Sequence, residues 1–168
     1  MGVWLAGTFF SAIVAAENFF TIDRLFANSA NAVFRGDIEK LSEPVVHDLL
    51  WYLSSELNRL YFQWWNVAQL PIGVLALWLV RPLPGSKRAV WGIVAMLAVV
   101  VFLTAALTPP IVSIGRAMDF VPREPPPPPM RTFGLLHAAF SVFTLINLIL
   151  GILATVWIQN AGNSRSAR

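Results

Sequence analysis

The chain has 168 residues, 57% of them hydrophobic and 12% charged, with a mean hydropathy of +0.64. Soluble domains carry about 25% charged residues, so this composition excludes a disordered chain, a nucleic-acid-binding arm and an ordinary soluble enzyme, and it points to an integral membrane protein. The net charge of +3 is slight and reads as membrane-flanking charge, while the absence of cysteine excludes disulfides, thiolate catalysis, iron–sulfur clusters and c-type haem attachment.

Four apolar runs approach the ~20 residues that span a bilayer as a helix. The first covers about residues 3–22 and opens without a positive charge, which fits a retained membrane helix rather than a secretory signal. A connection from Asp23 to Arg59 follows. It begins with the small residues Asn28-Ser29-Ala30-Asn31-Ala32 and holds six acids. Within it, Pro44 after Ser42-Glu43 fits a helix start. Val46, Leu49, Leu50, Leu53, Leu57 and Leu60 then recur at helical spacing, which predicts an amphipathic helix over about 45–59. The second span, about 60–80, continues from it with Pro71 as a candidate bend. A tight basic turn, Arg81 to Arg88, leads to the third span at about 89–107. A proline-rich loop, 108–132, with five prolines from Pro125 to Pro129, precedes the fourth span at about 133–158, and the tail from Asn160 is polar. The expected architecture is all-α: an integral membrane four-helix bundle in one domain, with an additional amphipathic helix before span two.

Lysine and arginine are densest in the short turn, at Arg81, Lys87 and Arg88, with no acid beside them. By the positive-inside rule this places the turn and both termini in the cytoplasm, in a bacterial inner membrane. The seven tryptophans lie near the span ends, where interfacial anchoring accounts for nearly all of them.

Polar groups are costly in a bilayer and so mark where function is to be sought. Glu17 and Asn18 interrupt the end of span one. Glu56, Arg59, Gln63 and Asn66 repeat at spacings of three and four, on one helix face. Thr104 and Thr108 end span three, and His137, Ser141, Thr144 and Asn147 form a stripe on span four. Alternating direction brings Glu17, Asn18, Arg59, Gln63, Asn66, Thr108, His137 and Ser141 to one end of the bundle, leaving the opposite half almost wholly apolar. This cluster has three readings. One is a packing network, with Glu17–Arg59 as its natural ion pair and His137 bonded to Ser141 or Asn66. Another is a pocket for a small solute or ion. The third is axial ligation of chlorophyll or haem by His137. No H-x-x-x-H pair supports a metal site, and no G-x-S-x-G, H-E-x-x-H or P-loop supports an enzyme. Gly7, Ser11 and Ala15 give span one a small-residue stripe suited to close helix packing.

Trp4, Gly7 and Phe9-Phe10, then Asn18-Phe19-Phe20, Asn58-Arg59 with Tyr61-Phe62, and Leu136-His137 with Phe140-Ser141 make the chain resemble a bacterial family of four-span proteins of unknown function, similar to the eukaryotic transmembrane protein 205. Its first loop is longer and more acidic than that pattern. The resemblance implies a topology and no mechanism. The expected role is therefore a structural, accessory or assembly subunit without chemistry of its own. It would contact lipid and other membrane subunits, and no nucleic acid. A pigment- or haem-binding subunit and a small-solute or ion permease are the alternatives.

Overall fold

The computed structural model describes residues 1–28 and 31–166, and side chains through residue 162; Ser29, Ala30 and the end of the polar tail lie outside the described residues. Long apolar runs without β-alternation give helices, and among the described residues there is no strand. The elements are α1 (Gly2–Asn28), α2 (Ala32–Leu41), α3 (Glu43–Val80), α4 (Lys87–Phe102), a π-helical turn (Leu103–Leu107), α5 (Thr108–Ala117) and α6 (Met130–Ser166). Three helical stretches are long and apolar enough to cross a membrane: Gly2–Asn28, Lys87–Ala117 and Met130–Gly162. α3 is longer than any of them, but Gln63, Asn66 and Gln69 dilute its apolar run.

Several boundaries differ from those expected. Residues 45–59 continue into the second run, as expected, as the first part of α3, and the helix runs through Pro71 without a break. The regularly spaced leucines there do not mark the packed face: Leu49 and Leu53 are exposed, while Ser54 and Asn58 are buried against α1. The polar connection also contains a helix, α2, whose N-cap Asn31 accepts a hydrogen bond from the Phe34 N–H at 3.1 Å. The loop expected over 108–132 begins ten residues later, because Thr108–Ala117 is helical. Pro109 and Pro110 have no N–H to give the preceding turn, and they sit in the first turn of α5, where none is needed. The Thr108 N–H reaches back five residues to the Leu103 carbonyl, producing the π-helical turn, and the Thr108 hydroxyl donates to the same carbonyl at 2.8 Å.

The long helices pack in a cycle: α1 on α3, α3 on α4, α4 on α6, and α6 back on α1. α1 and α3 run antiparallel over nearly their whole lengths, with Phe26 against His47, Phe19 against Trp51, Asn18 bonded to Asn58 and Trp4 bonded to Gln69. The α1 seam is Trp4, Thr8, Ser11, Ala15, Asn18 and Ile22, alternating steps of four and three as in knobs-into-holes packing. The small-residue stripe belongs to this seam and meets the chain's own α3. A Cβ placed on Gly7 would lie 2.0 Å from the Trp65 ring, and one on Gly73 2.8 Å from the Trp4 ring. The apolar core, Trp4, Val80, Ala89, Ile93, Met96, Val100 and Ala154, fills the end of the molecule near the chain's first residues.

The tryptophans divide into two sets. Trp64, Trp78 and Trp91 are about 70% exposed, as interfacial anchors would be. Trp4 is 1% exposed, Trp65 and Trp157 pack over Gly7 and Gly92, and Trp51 faces a cavity. Anchoring therefore does not account for these four: Trp4, Trp65 and Trp157 fill the space above Gly73, Gly7 and Gly92, where helices cross closely, and Trp51 walls the cavity.

Candidate functional site

The polar residues of the helix ends separate into a clamp, a buried amide chain, an ion-pair network and a pocket. Asn18 and Asn58 form the clamp. Asn18 Nδ2 donates to Asn58 Oδ1 at 2.6 Å, Asn58 Nδ2 donates to the Ala15 carbonyl at 2.9 Å, and the Ser54 hydroxyl donates to the Asn18 carbonyl at 3.2 Å. Glu17 is not part of it. It lies one residue off the α1 seam, points to the exposed side and pairs with Arg24 of its own helix. The expected Glu17–Arg59 pair is therefore absent, since a residue adjacent to a seam position is rotated about 100° away from the partner helix.

The amide chain crosses three helices in one donor direction. Trp4 Nε1 donates to Gln69 Oε1 at 2.7 Å, Gln69 Nε2 to Asn66 Oδ1 at 3.4 Å, and Asn66 Nδ2 to the Thr108 hydroxyl at 3.0 Å, which passes its own proton to the Leu103 carbonyl. All four side chains are buried. Asn66 and Thr108 thus meet as the topology requires, whereas Gln63 is exposed on the wall of a separate outer groove with Asn66, Thr104, Ser113 and Arg116.

Arg59 instead anchors an ion-pair network between α3 and α5. Its guanidinium donates to both Asp119 carboxylate oxygens, at 2.7 and 2.8 Å, and to Glu56 Oε1 at 2.5 Å. Arg116 closes the network on Glu56 at 3.1 and 2.9 Å. Only 13% of the Arg59 side chain and 16% of that of Asp119 remain exposed, so this is the most buried ion pair among the described residues. The hydrogen bond from Arg116, joined by that from Arg59, outweighs the opposing effect of burial and holds the Glu56 carboxyl down at about 2. Gly115 makes the approach possible: a Cβ there would stand 3.2 Å from Arg59 Nη2. The three-residue spacing of Glu56 and Arg59 on one helix face is a signal for that pair, whereas Asp119 had no sequence signal as a partner, because the loop that carries it is brought over Arg59 only when α5 continues the preceding helix.

Beside this network is a cavity of about 450 Å³, within the ~300–1,000 Å³ of small-molecule pockets. Ala15 and Phe19 of α1 form one wall, Trp51, Asn58, Arg59 and Phe62 of α3 the next, and Ile111 and Gly115 of α5 the third. Phe133, His137 and Phe140 of α6 complete it, with Met118, Val121, Arg123 and Pro127 of the 118–129 loop over the end. His137 therefore faces the cavity, its ring 5.3 Å from that of Phe133. Ser141 does not bind the His137 side chain. Its hydroxyl folds back to the His137 carbonyl at 2.9 Å, as Thr144 does to Phe140 at 2.8 Å, so these hydroxyls satisfy themselves on their own helix. Among the described residues no group of His, Asp and Glu is arranged to hold a metal ion.

Of the eight residues expected at one end, Arg59, Thr108 and His137 line the cavity, Asn18 and Asn66 bond to its neighbouring walls, and Glu17, Gln63 and Ser141 point elsewhere. Comparison of the chain with family models, curated proteins and solved structures finds no match.

Proposed function

We propose that this chain is a four-span protein of a bacterial inner membrane that holds a small, largely apolar ligand in the pocket between α1, α3, α5 and α6. The observation that carries this reading is the cavity itself. It has aromatic and aliphatic walls, an internally neutralised ion-pair network on one side and an imidazole on another. A chain serving only as packing would close such a space with side chains. In support of a fourth span, residues 60–80 of α3 lie directly against α1 and α4, with Gly73 between Trp4 and Leu97. That topology puts both termini on one side, the cytoplasmic one by charge density, and it is the layout of the bacterial proteins similar to transmembrane protein 205.

What supports binding as the role of the pocket is that its walls are mostly aromatic and aliphatic and that Arg59 is already engaged by two carboxylates. The test is binding of a fluorescent apolar probe by the protein in lipid nanodiscs. Ile111→Trp, which fills the cavity from α5, should abolish binding while leaving the helical content unchanged. Equal binding by the filled variant would overturn the reading. An absorption band that disappears in His137→Ala would identify the ligand as a pigment or haem held by that imidazole.

The outer groove favours a second role, as an accessory subunit. Arg116 and Thr104 on its wall are already bonded, to Glu56 and to the Val100 carbonyl, but Gln63 and Ser113 are polar groups on an outward-facing wall, where lipid offers no hydrogen bonds. A helix of another subunit would satisfy them. Native purification yielding the chain alone would remove that role.

A further inference from the structure

We infer that the pocket takes an amphiphile with one anionic head group, bound by Arg123 at the loop end with its hydrocarbon chain running inward to Phe62 and Phe140. This rests on the ligand-binding reading above. The shape comes first. The lining positions run from Trp51 to Phe62 on α3 and from Met130 to Phe140 on α6, so the space extends roughly 15 Å along the helix axes at ~1.5 Å per residue. That is a slot for an extended chain rather than a round chamber.

The charges around it are graded. Arg59 and Arg116 are matched by Glu56 and Asp119, two cations against two anions, and contribute no net charge. Arg123 also lines the cavity, at the end covered by the loop, and it has no carboxylate within ion-pair distance among the described residues. Its guanidinium rests over the Trp51 ring at 5.6 Å, which fixes its position while leaving its N–H donors available. The far end is walled by Phe62 and Phe140, with their rings 5.8 Å apart edge to face. A cation at the loop end and aromatic walls at the far end match an anionic amphiphile.

The experiment compares a fluorescent long-chain polyene fatty acid with its methyl ester, on the full chain in nanodiscs, at a pH where the free acid is ionised. The acid should bind about tenfold more tightly than the ester. Arg123→Gln should abolish that preference, and Arg123→Lys should restore most of it. Equal affinity for acid and ester in the unaltered protein would overturn the head-group assignment and leave the pocket reading standing. A preference for the acid that survives in Arg123→Gln would likewise overturn the assignment to Arg123. Binding of both probes that is unaffected by Ile111→Trp would overturn the pocket reading together with this one.

Discussion

Glu17 and Arg59 are both charged residues at a helix end, yet their surroundings give them different weights. Glu17 pairs with Arg24 in the open, where an ion pair contributes little. Arg59 is half-buried with two carboxylates, and truncating one member of such a group leaves an uncompensated charge that costs about 3–5 kcal/mol. Thermal unfolding in detergent should therefore show a large loss for Arg59→Ala and almost none for Glu17→Ala; equal losses would contradict the assignment of Arg59 as the anchor. Glu56 adds a pH dependence. Its folded-state value of about 2 lies below the ordinary 4.5, so its contribution is complete above pH 4.5 and is lost as the pH falls toward 2. Glu56→Gln should flatten that part of the stability profile. Glycine sets a third expectation. Gly7→Ala drives a methyl group into Trp65, and overpacking of this kind costs about 1–3 kcal/mol.

Helices as units were legible in the sequence where their signal is apolar run length, and less so where it is local chemistry. The rule that placed a helix start at Pro44 also applies at Pro109, but the hydrophobic run ends there, and the double proline looks like a break. Asn31 is likewise a good N-cap, hidden in a stretch of small polar residues. At the site, depth was readable and facing was not. Arg59, Thr108 and His137, which alternation of direction places at one end, line one cavity. Which residues meet depends on the seam of steps of four and three along α1, and that seam contains Thr8, Ser11 and Asn18, which a hydrophobicity pattern passes over. The π-helical turn gives the element its own test. Replacing Pro109 and Pro110 with alanine lets the backbone return to α-geometry, rotating α5 by about 100° relative to α4. The Glu56–Arg116 coupling measured by a double-mutant cycle should then vanish. Persistence of that coupling would show that the loop, rather than the turn, aims α5.

For the molecule as a whole, the apolar core and the pocket occupy opposite ends. The end near the chain's first residues is tightly filled, and the other is held by polar contacts around an opening. Because the chain has no cysteine, single cysteines report topology without background. In right-side-out vesicles, Lys87→Cys, at an exposed position of the turn, should be shielded from an impermeant thiol reagent and Asp37→Cys labelled, which is the pattern four crossings produce. Labelling of both would leave α3 outside the bilayer.

α3 has 38 residues in one unbroken rod, about 57 Å at ~1.5 Å per residue, against a hydrocarbon layer of ~30 Å. It is nearly twice as long as a crossing demands. From its first turn at Glu43 the same stiff shaft runs past α2 and on to form one wall of the pocket. A push at that first turn has no hinge to absorb it short of Pro71, so it would be delivered at Trp51 and Arg59 as displacement of the wall. In mechanical terms, the helix is a lever whose first turns form one arm and whose stretch from Trp51 to Phe62 bears on the cavity.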